Sequence, residues 1–152
     1  MAAPELAEAI RDTDHRVITA AIESLRALDE TEAMKQKAIE MFGSETWEDQ
    51  KRAAYLLRYF LPQEVVGGLL DALPDNISLR QMNSVIALGL YECTQARPIL
   101  NAIVGDSRVS QNAARALRDI GDATSAAAIR SAIEAGVLDR AFSQLADQIE
   151  SR

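Results

Sequence analysis

The stretch DSRVSQNAARALRDIGDATSAAAIRSAI, residues 106–133, holds two short amphipathic runs separated by Ile120-Gly121-Asp122. In the first run a small residue, Ala113, is followed by Leu117 four positions on and by Ile120 three beyond that; the second run carries Ile129 and Ile133. Steps of three and four put these side chains on one face of a helix. Gly121 is expected to end the first helix in the left-handed region, and Asp122 to cap the second by accepting its orphan amide hydrogens. The stretch reads as a helical hairpin.

Upstream, the same triplet recurs as Ser84, Leu88 and Tyr91, as Ala53, Leu57 and Phe60, and as Ala21, Leu25 and Leu28. The central Leu therefore stands at 25, 57, 88 and 117, with spacings of 32, 31 and 29 residues. Periods of this size belong to paired-helix arrays, in which each hairpin buries its apolar face on its neighbours. The second helices repeat as well: Leu69 and Leu73, Leu100 and Val104, and Ile129 and Ile133 stand 12 and 16 positions beyond the central Leu. In the first hairpin the same offsets give Lys37 and Met41, so the apolar position is expected to slip to Ala38 or Ile39.

Gly43-Ser44, Pro74-Asp75-Asn76 and Gly105-Asp106 punctuate the array between hairpins, and Pro62 suits a helix start, where no amide donor is lost. Turns this short force neighbouring helices to run antiparallel. The predicted fold class is all-α: an α-solenoid of antiparallel helical hairpins in one domain spanning 1–152, with about four full repeats and about ten helices. The expected segments are an N-terminal capping helix at 1–12, repeats at 13–43, 44–75, 76–105 and 106–136, and a C-terminal capping helix at 137–152. Leu6 and Ile10 give the first cap its apolar side; Ala141, Phe142, Leu145 and Ile149 give the last cap the same. Polar outward positions such as Glu5, Glu8, Asp147 and Gln148 would stop end-to-end stacking, so the array is expected to be closed at both ends.

Composition agrees with this. The 152 residues are 48% hydrophobic and only 5% aromatic, with Ala and Leu dominant, which favours closely spaced helices over strands. Sixteen basic against 23 acidic side chains give a net charge of −7, so attraction to nucleic acid or to an anionic membrane is not expected. The opening MAAPELAEAIRD carries early Glu and no long apolar run, and reads as a helix rather than a secretion signal. No stretch approaches the roughly twenty apolar residues needed to span a bilayer, and cytoplasmic residence is the expectation. The single cysteine, Cys93, excludes an internal disulfide and is expected to be a small residue in a turn.

The 106–133 stretch resembles the short HEAT-like repeat first associated with phycobilisome lyases: an Asp, an Arg shortly after it, Ala-Ala-x-x-Leu, Ile-Gly-Asp, then a second apolar helix. Asp14-His15-Arg16-Val17 opens the first repeat in the same way, whereas Leu61-Pro62 and Glu92-Cys93 depart from the pattern where Gly-Asp would stand. The resemblance implies a right-handed stack whose second helices line a concave surface that holds another protein. Within that group some members attach bilin pigments to phycobiliproteins, some hydroxylate a protein side chain with a metal, and some recognise damaged DNA. Fold alone decides none of these.

Chemistry was weighed against solvated or structural roles. A metal-dependent hydroxylase of this type needs several His-Glu pairs, and the chain has one histidine. His15, at a helix start beside Asp14 and Arg16, reads as an exposed cap neighbour. Glu30, Glu32, Glu64, Asp71 and Asp75 read as a solvated face, and Arg16, Arg80 and Arg108 as links between consecutive repeats through charged ladders. Gly67-Gly68, the one adjacent glycine pair, lacks any phosphate-loop context and points to close helix packing or close approach by a partner. No catalytic, metal-ligating or cofactor-binding residue is assigned.

Two surfaces remain. The non-core positions of the second helices are mostly small or polar: Lys35 and Gln36, then Gln63, Glu64, Gly67, Gly68 and Asp71, then Thr94, Gln95, Pro98 and Ile99, then Thr124, Ala127, Ala128 and Ser131. A groove so lined would accept a helix or extended peptide. The second surface is Trp47, Lys51, Tyr55 and Tyr59, a stripe at four-residue spacing; Trp and Tyr are enriched in binding hot spots, although covering the gap between the first and third hairpins is the preferred role. The expected function is a non-enzymatic scaffold or adaptor, monomeric or weakly self-associating, that binds a protein along the second helices. The alternatives are a bilin lyase subunit or pigment chaperone and, against the acidic balance, a nucleic-acid-binding protein.

Overall fold

A computed structural model describes residues 2–152; Met1, the first residue of the expected segment 1–12, lies outside them. The described residues form ten α-helices, two short 3-10 turns and no strand. They are α1 (Ala3–Ala9), α2 (His15–Ala27), α3 (Thr31–Phe42), α4 (Trp47–Tyr59), α5 (Gln63–Asp71), α6 (Leu79–Leu90), α7 (Arg97–Ile103), α8 (Ser110–Ala116), α9 (Ala123–Glu134) and α10 (Ser143–Glu150). The protein is all-α. Each of the four segments read as repeats holds two helices, and α1 and α10 occupy the flanking segments. None of these helices is long and apolar enough to cross a membrane. The chain divides into two compact units, one ending at Ala72 and the other beginning at Leu73.

In the first unit α1 packs on α2 and α3, α3 on α2 and α4, and α4 on α5. The contacting faces follow the helical period: Ile18, Ala21, Ile22 and Leu25 of α2, Met34, Ala38 and Met41 of α3, and Ala53, Ala54, Leu56 and Leu57 of α4 are all buried. The small side chains of Ala38, Ala53 and Ala54 are wholly inaccessible to solvent, which lets α3 and α4 approach closely. Asp14 and Thr46 cap α2 and α4, accepting hydrogen bonds from the Arg16 and Asp49 amides.

The expected slip in the first hairpin is met at Ala38, which is fully buried, and not at Ile39, which is only half-buried. Lys37 is buried beside Ala38, 7% exposed, with Met41 buried one turn on. The Lys37 ammonium pairs with Glu8 of α1 and with Glu40 at 2.9 Å, which satisfies the charge where the other repeats carry an apolar side chain. The second hairpin also departs from the expected register: Val66 and Leu70 are buried and Leu69 is only half-buried.

In the second unit α6 packs on α7 and α8, α7 on α8 and α9, and α9 on α10. First helices α6 and α8 are thus neighbours, as are second helices α7 and α9. Ser78 caps α6 in a capping box with Gln81, and Asp122 caps α9 in a box with Ser125. Gly121, however, is not left-handed. A Cβ there would stand 2.6 Å from the Leu117 carbonyl oxygen and 3.1 Å from Ile149 Cγ2, so the glycine is required by close approach rather than by its φ.

The left-handed positions are instead Asp29 (φ 56°), Glu92 (φ 62°) and Gly136 (φ 74°). Each closes a Schellman motif. After α2 the Glu30 amide donates to the Leu25 carbonyl at 2.8 Å and the Asp29 amide to that of Arg26. After α6 the Cys93 amide donates to the Leu88 carbonyl at 3.0 Å and the Glu92 amide to that of Gly89. The motif therefore starts from the same repeat position, Leu25 or Leu88, in the first and third hairpins. The last cap begins later than its sequence segment suggests: residues 137–139 are not helical, Asp139 caps a 3-10 turn at Arg140–Phe142, and α10 follows.

Candidate functional site

Both parts of the predicted second-helix surface face solvent, and each is built within its own unit. In the first unit Gln63, Glu64, Gly68 and Asp71 of α5 are exposed and Gly67 is half-buried, because the apolar side of the helix turns Val66 and Leu70 inward. Between α5 and α3 lies an open cleft of about 300 Å³, walled by Lys35 and Ile39 on one side and by Glu64, Val65, Gly68 and Leu69 on the other. The cleft thus brings together three of the predicted residues, Lys35, Glu64 and Gly68. Sequence reasoning assigned Leu69 to the core and offered Ile39 as core, and it passed over Val65. The one-residue shift that buries Val66 and Leu70 rotates Val65 and Leu69 toward the cleft, and only three-dimensional packing reveals that shift.

A Cβ added at Gly67 or Gly68 would meet nothing within 4 Å, and neither residue has a positive φ. Close helix packing, one of the two sequence expectations for this pair, does not describe either glycine. They leave a low, unobstructed strip of backbone along the rim of the cleft.

In the second unit Thr94 and Gln95 lie in a 3-10 turn, Pro98 follows in the first turn of α7, and all three are exposed. Thr124, Ala127 and Ser131 of α9 are exposed and Ala128 is half-buried. Since α7 packs on α9, these two groups lie on adjacent helices. The intervening turn is clamped by Arg97, which donates through Nε to the Ile120 carbonyl at 2.5 Å and stands 3.6 Å from the Asp122 carboxylate.

The side chains of the α4 stripe meet in local pairs, with the Tyr rings tilted or edge-on to their neighbours. Lys51 Nζ lies 5.9 Å from the Trp47 ring centroid, and Tyr55 lies 5.4 Å from both Tyr59 and Phe60. Trp47 and Tyr59 are 38% and 53% exposed, so the ends of the stripe are surface residues, while Lys51 and Tyr55 are half-buried.

Of the remaining candidates, His15 is exposed at the start of α2, its carbonyl accepting the Thr19 hydroxyl at 2.9 Å. Cys93 is buried in the turn after α6. Arg16 and Arg108 do not form a ladder between repeats. Each folds back on the Asp two positions before it, Arg16 Nη2 to Asp14 at 2.9 Å and Arg108 Nη2 to Asp106 at 2.8 Å. The Arg108 guanidinium and amide together hold the Asp106 carboxyl down to about 2. Among the described residues no three His, Cys, Asp or Glu side chains are placed to share a metal ion.

Comparison with family models, with curated proteins and with solved structures finds no match.

Proposed function

We propose that this chain is a HEAT-like repeat protein, a right-handed α-solenoid without catalytic chemistry, whose second helices hold a protein partner. The repeat reading draws support from the common 25–30 and 88–93 turn geometry and from the neighbouring of α6 with α8 and α7 with α9.

The observation that carries the binding reading is the Gly67-Gly68 pair beside the α3–α5 cleft. A glycine inside a helix costs about 1 kcal/mol relative to alanine. Here the chain itself asks for neither residue: nothing stands within 4 Å of where either Cβ would be, and no left-handed backbone needs them. Their missing side chains allow a backbone from outside to approach the wall made by Ile39, Val65 and Leu69, with Lys35 and Glu64 at its edge. The role is shape recognition by a preformed surface.

The test is affinity capture from the source organism, identification and purification of the captured protein, and titration calorimetry against the wild type, Gly67→Arg, Gly68→Arg, Gln95→Arg and Ala127→Arg. Because these positions have open space or exposure, the variants are expected to fold, with unchanged circular dichroism. Binding weakened at least about tenfold by the α5 variants supports the reading; unchanged affinity in all four variants overturns it.

A further inference from the structure

A second cleft, of about 530 Å³, lies in the second unit between the end of α8 and the C-terminal elements. Its floor is apolar, formed by Ala141, Phe142 and Leu145, and its polar rim consists of Arg115, Arg118, Gln144 and Gln148. No carboxylate lines it.

The two arginines carry no carboxylate partner among the described residues, and neither does Arg140 of the same unit, in a protein of net charge −7. Elsewhere in the same unit Arg97 faces Asp122, Arg108 pairs with Asp106, and Arg130 pairs with Asp147 and Glu150. By contrast, the Arg118 side chain makes no ion pair or hydrogen bond among the described residues. Arg115 gives one donor to Asn112 Oδ1 at 3.3 Å, and its guanidinium carbon rests 5.7 Å from the Phe142 ring centroid. The ring steadies that guanidinium, which makes no other hydrogen bond or ion pair among the described residues. Three positions apart at the end of α8, the two arginines stand about one helical turn from each other.

We propose that this cleft docks an acidic segment of another protein: a bulky apolar residue seats on Phe142 and Leu145, and carboxylates about one turn apart on the segment bind Arg115 and Arg118. Gln144 and Gln148 lie one turn apart on α10 and supply donors and acceptors to the segment's backbone. Apolar floor and cationic rim act together, since each guanidinium is better paired where the seated side chain has displaced water. The site is built from α8, the turn after it, α10 and the turn between Asp139 and Ser143, and uses no residue of α5, α7 or α9, so the two readings stand or fall separately.

The experiment is selection of a displayed library of random twelve-residue peptides on the intact protein, with counter-selection on the Arg115→Glu/Arg118→Glu double variant. Peptides with two Asp or Glu flanking Leu, Phe or Trp should enrich. Synthesised, they should shift the backbone amide resonances of Arg115, Arg118, Phe142, Leu145 and Gln148, and bind at least about tenfold more weakly to Arg115→Ala and Arg118→Ala. Arg16→Ala, which removes one charge elsewhere, should leave binding unchanged. Absence of enrichment, enrichment of neutral or basic peptides, or shifts that persist in the double variant would each overturn the proposal. Circular dichroism of every variant guards against misfolding, and lysine-containing versions of the selected peptides separate charge recognition from apolar contact alone.

Discussion

Arg11 Nη2 stands 2.5 Å from Asp49 Oδ2, an ion pair that joins the end of α1 to the first turn of α4 across 38 positions of sequence. The Asp49 side chain is 8% exposed and also accepts the Ser44 hydroxyl at 3.0 Å, so one carboxylate ties the segment after α1 to the α3–α4 turn and to α4. Burial alone would push its pKa up. The hydrogen bonds from Arg11 and Ser44 outweigh that and hold it below the ordinary 3.8.

A carboxyl whose folded pKa is depressed contributes stability that is fully present above the unfolded value and lost as pH falls through the folded one. Stability is therefore expected to decline as pH drops below about 4. Asp49→Asn should remove part of that decline and cost about 2 kcal/mol at neutral pH, the scale of a hydrogen bond to a charged group. Urea unfolding at pH 7 and pH 3 measures both effects. An Asp49→Asn protein as stable as the wild type at pH 7, with the same acid slope, would show that the pair does not act as described.

Lys37 offers a complementary case. Its buried ammonium is neutralised by Glu8 and Glu40, both largely exposed, at a position where the third and fourth hairpins carry Leu100 and Ile129. Replacing a buried ion pair with an apolar side chain of similar volume is often neutral or stabilising, because desolvation of the charge is avoided. Lys37→Leu is expected to hold or raise Tm, whereas Lys37→Ala should lower stability by about 2 kcal/mol through the cavity it leaves. A large loss in Lys37→Leu would mean that the charged network, rather than apolar register, organises this part of α3.

The helices were legible in the sequence because their apolar faces repeat at three and four positions, and that pattern survives substitution of single residues. Two details were not. The burial of Lys37 beside Ala38 was hidden because sequence alone does not show Glu8 and Glu40 placed to neutralise it. Val66 and Leu70 turned inward instead of Leu69 because two adjacent apolar pairs, Val65-Val66 and Leu69-Leu70, satisfy the helical period equally well, and packing chose between them. The α3–α5 cleft depends on that choice, so its walls were only partly readable even though Glu64 and Gly68 at its edge were. The Arg115–Arg118 cleft was hidden for a different reason: which arginines lack acidic partners is decided by the fold, not by the count of charges.

The two left-handed acidic residues make a prediction about turns. Asp29 and Glu92 occupy the αL position of Schellman motifs, a conformation that costs a residue with a Cβ roughly 1 kcal/mol and glycine almost nothing. Asp29→Gly and Glu92→Gly are each expected to stabilise the protein by about 0.5–1 kcal/mol, offset in part by glycine's greater freedom in the unfolded chain. Thermal unfolding of the single variants reads this directly; a drop in Tm for both would contradict the assigned backbone geometry.

The glycines of α5 and α6 should respond to the same substitution with opposite signs. Gly89 sits where α6 meets α7 and α8: a Cβ there would stand 2.6 Å from Leu100 Cδ1 and 2.9 Å from the Ala116 Cβ. Leu100 is fully buried and has no room to retreat, and Ala116 is anchored to backbone, so Gly89→Ala is expected to destabilise by about 1–3 kcal/mol. At Gly67 and Gly68 nothing stands within 4 Å of the added methyl. There alanine recovers helix propensity, and each substitution should stabilise by about 0.4–1 kcal/mol. Should Gly67→Ala or Gly68→Ala stabilise the free protein while weakening a captured partner, the glycines would be serving contact with that partner at the expense of the helix that carries them. Stabilisation with no change in binding would leave them without a role at that surface.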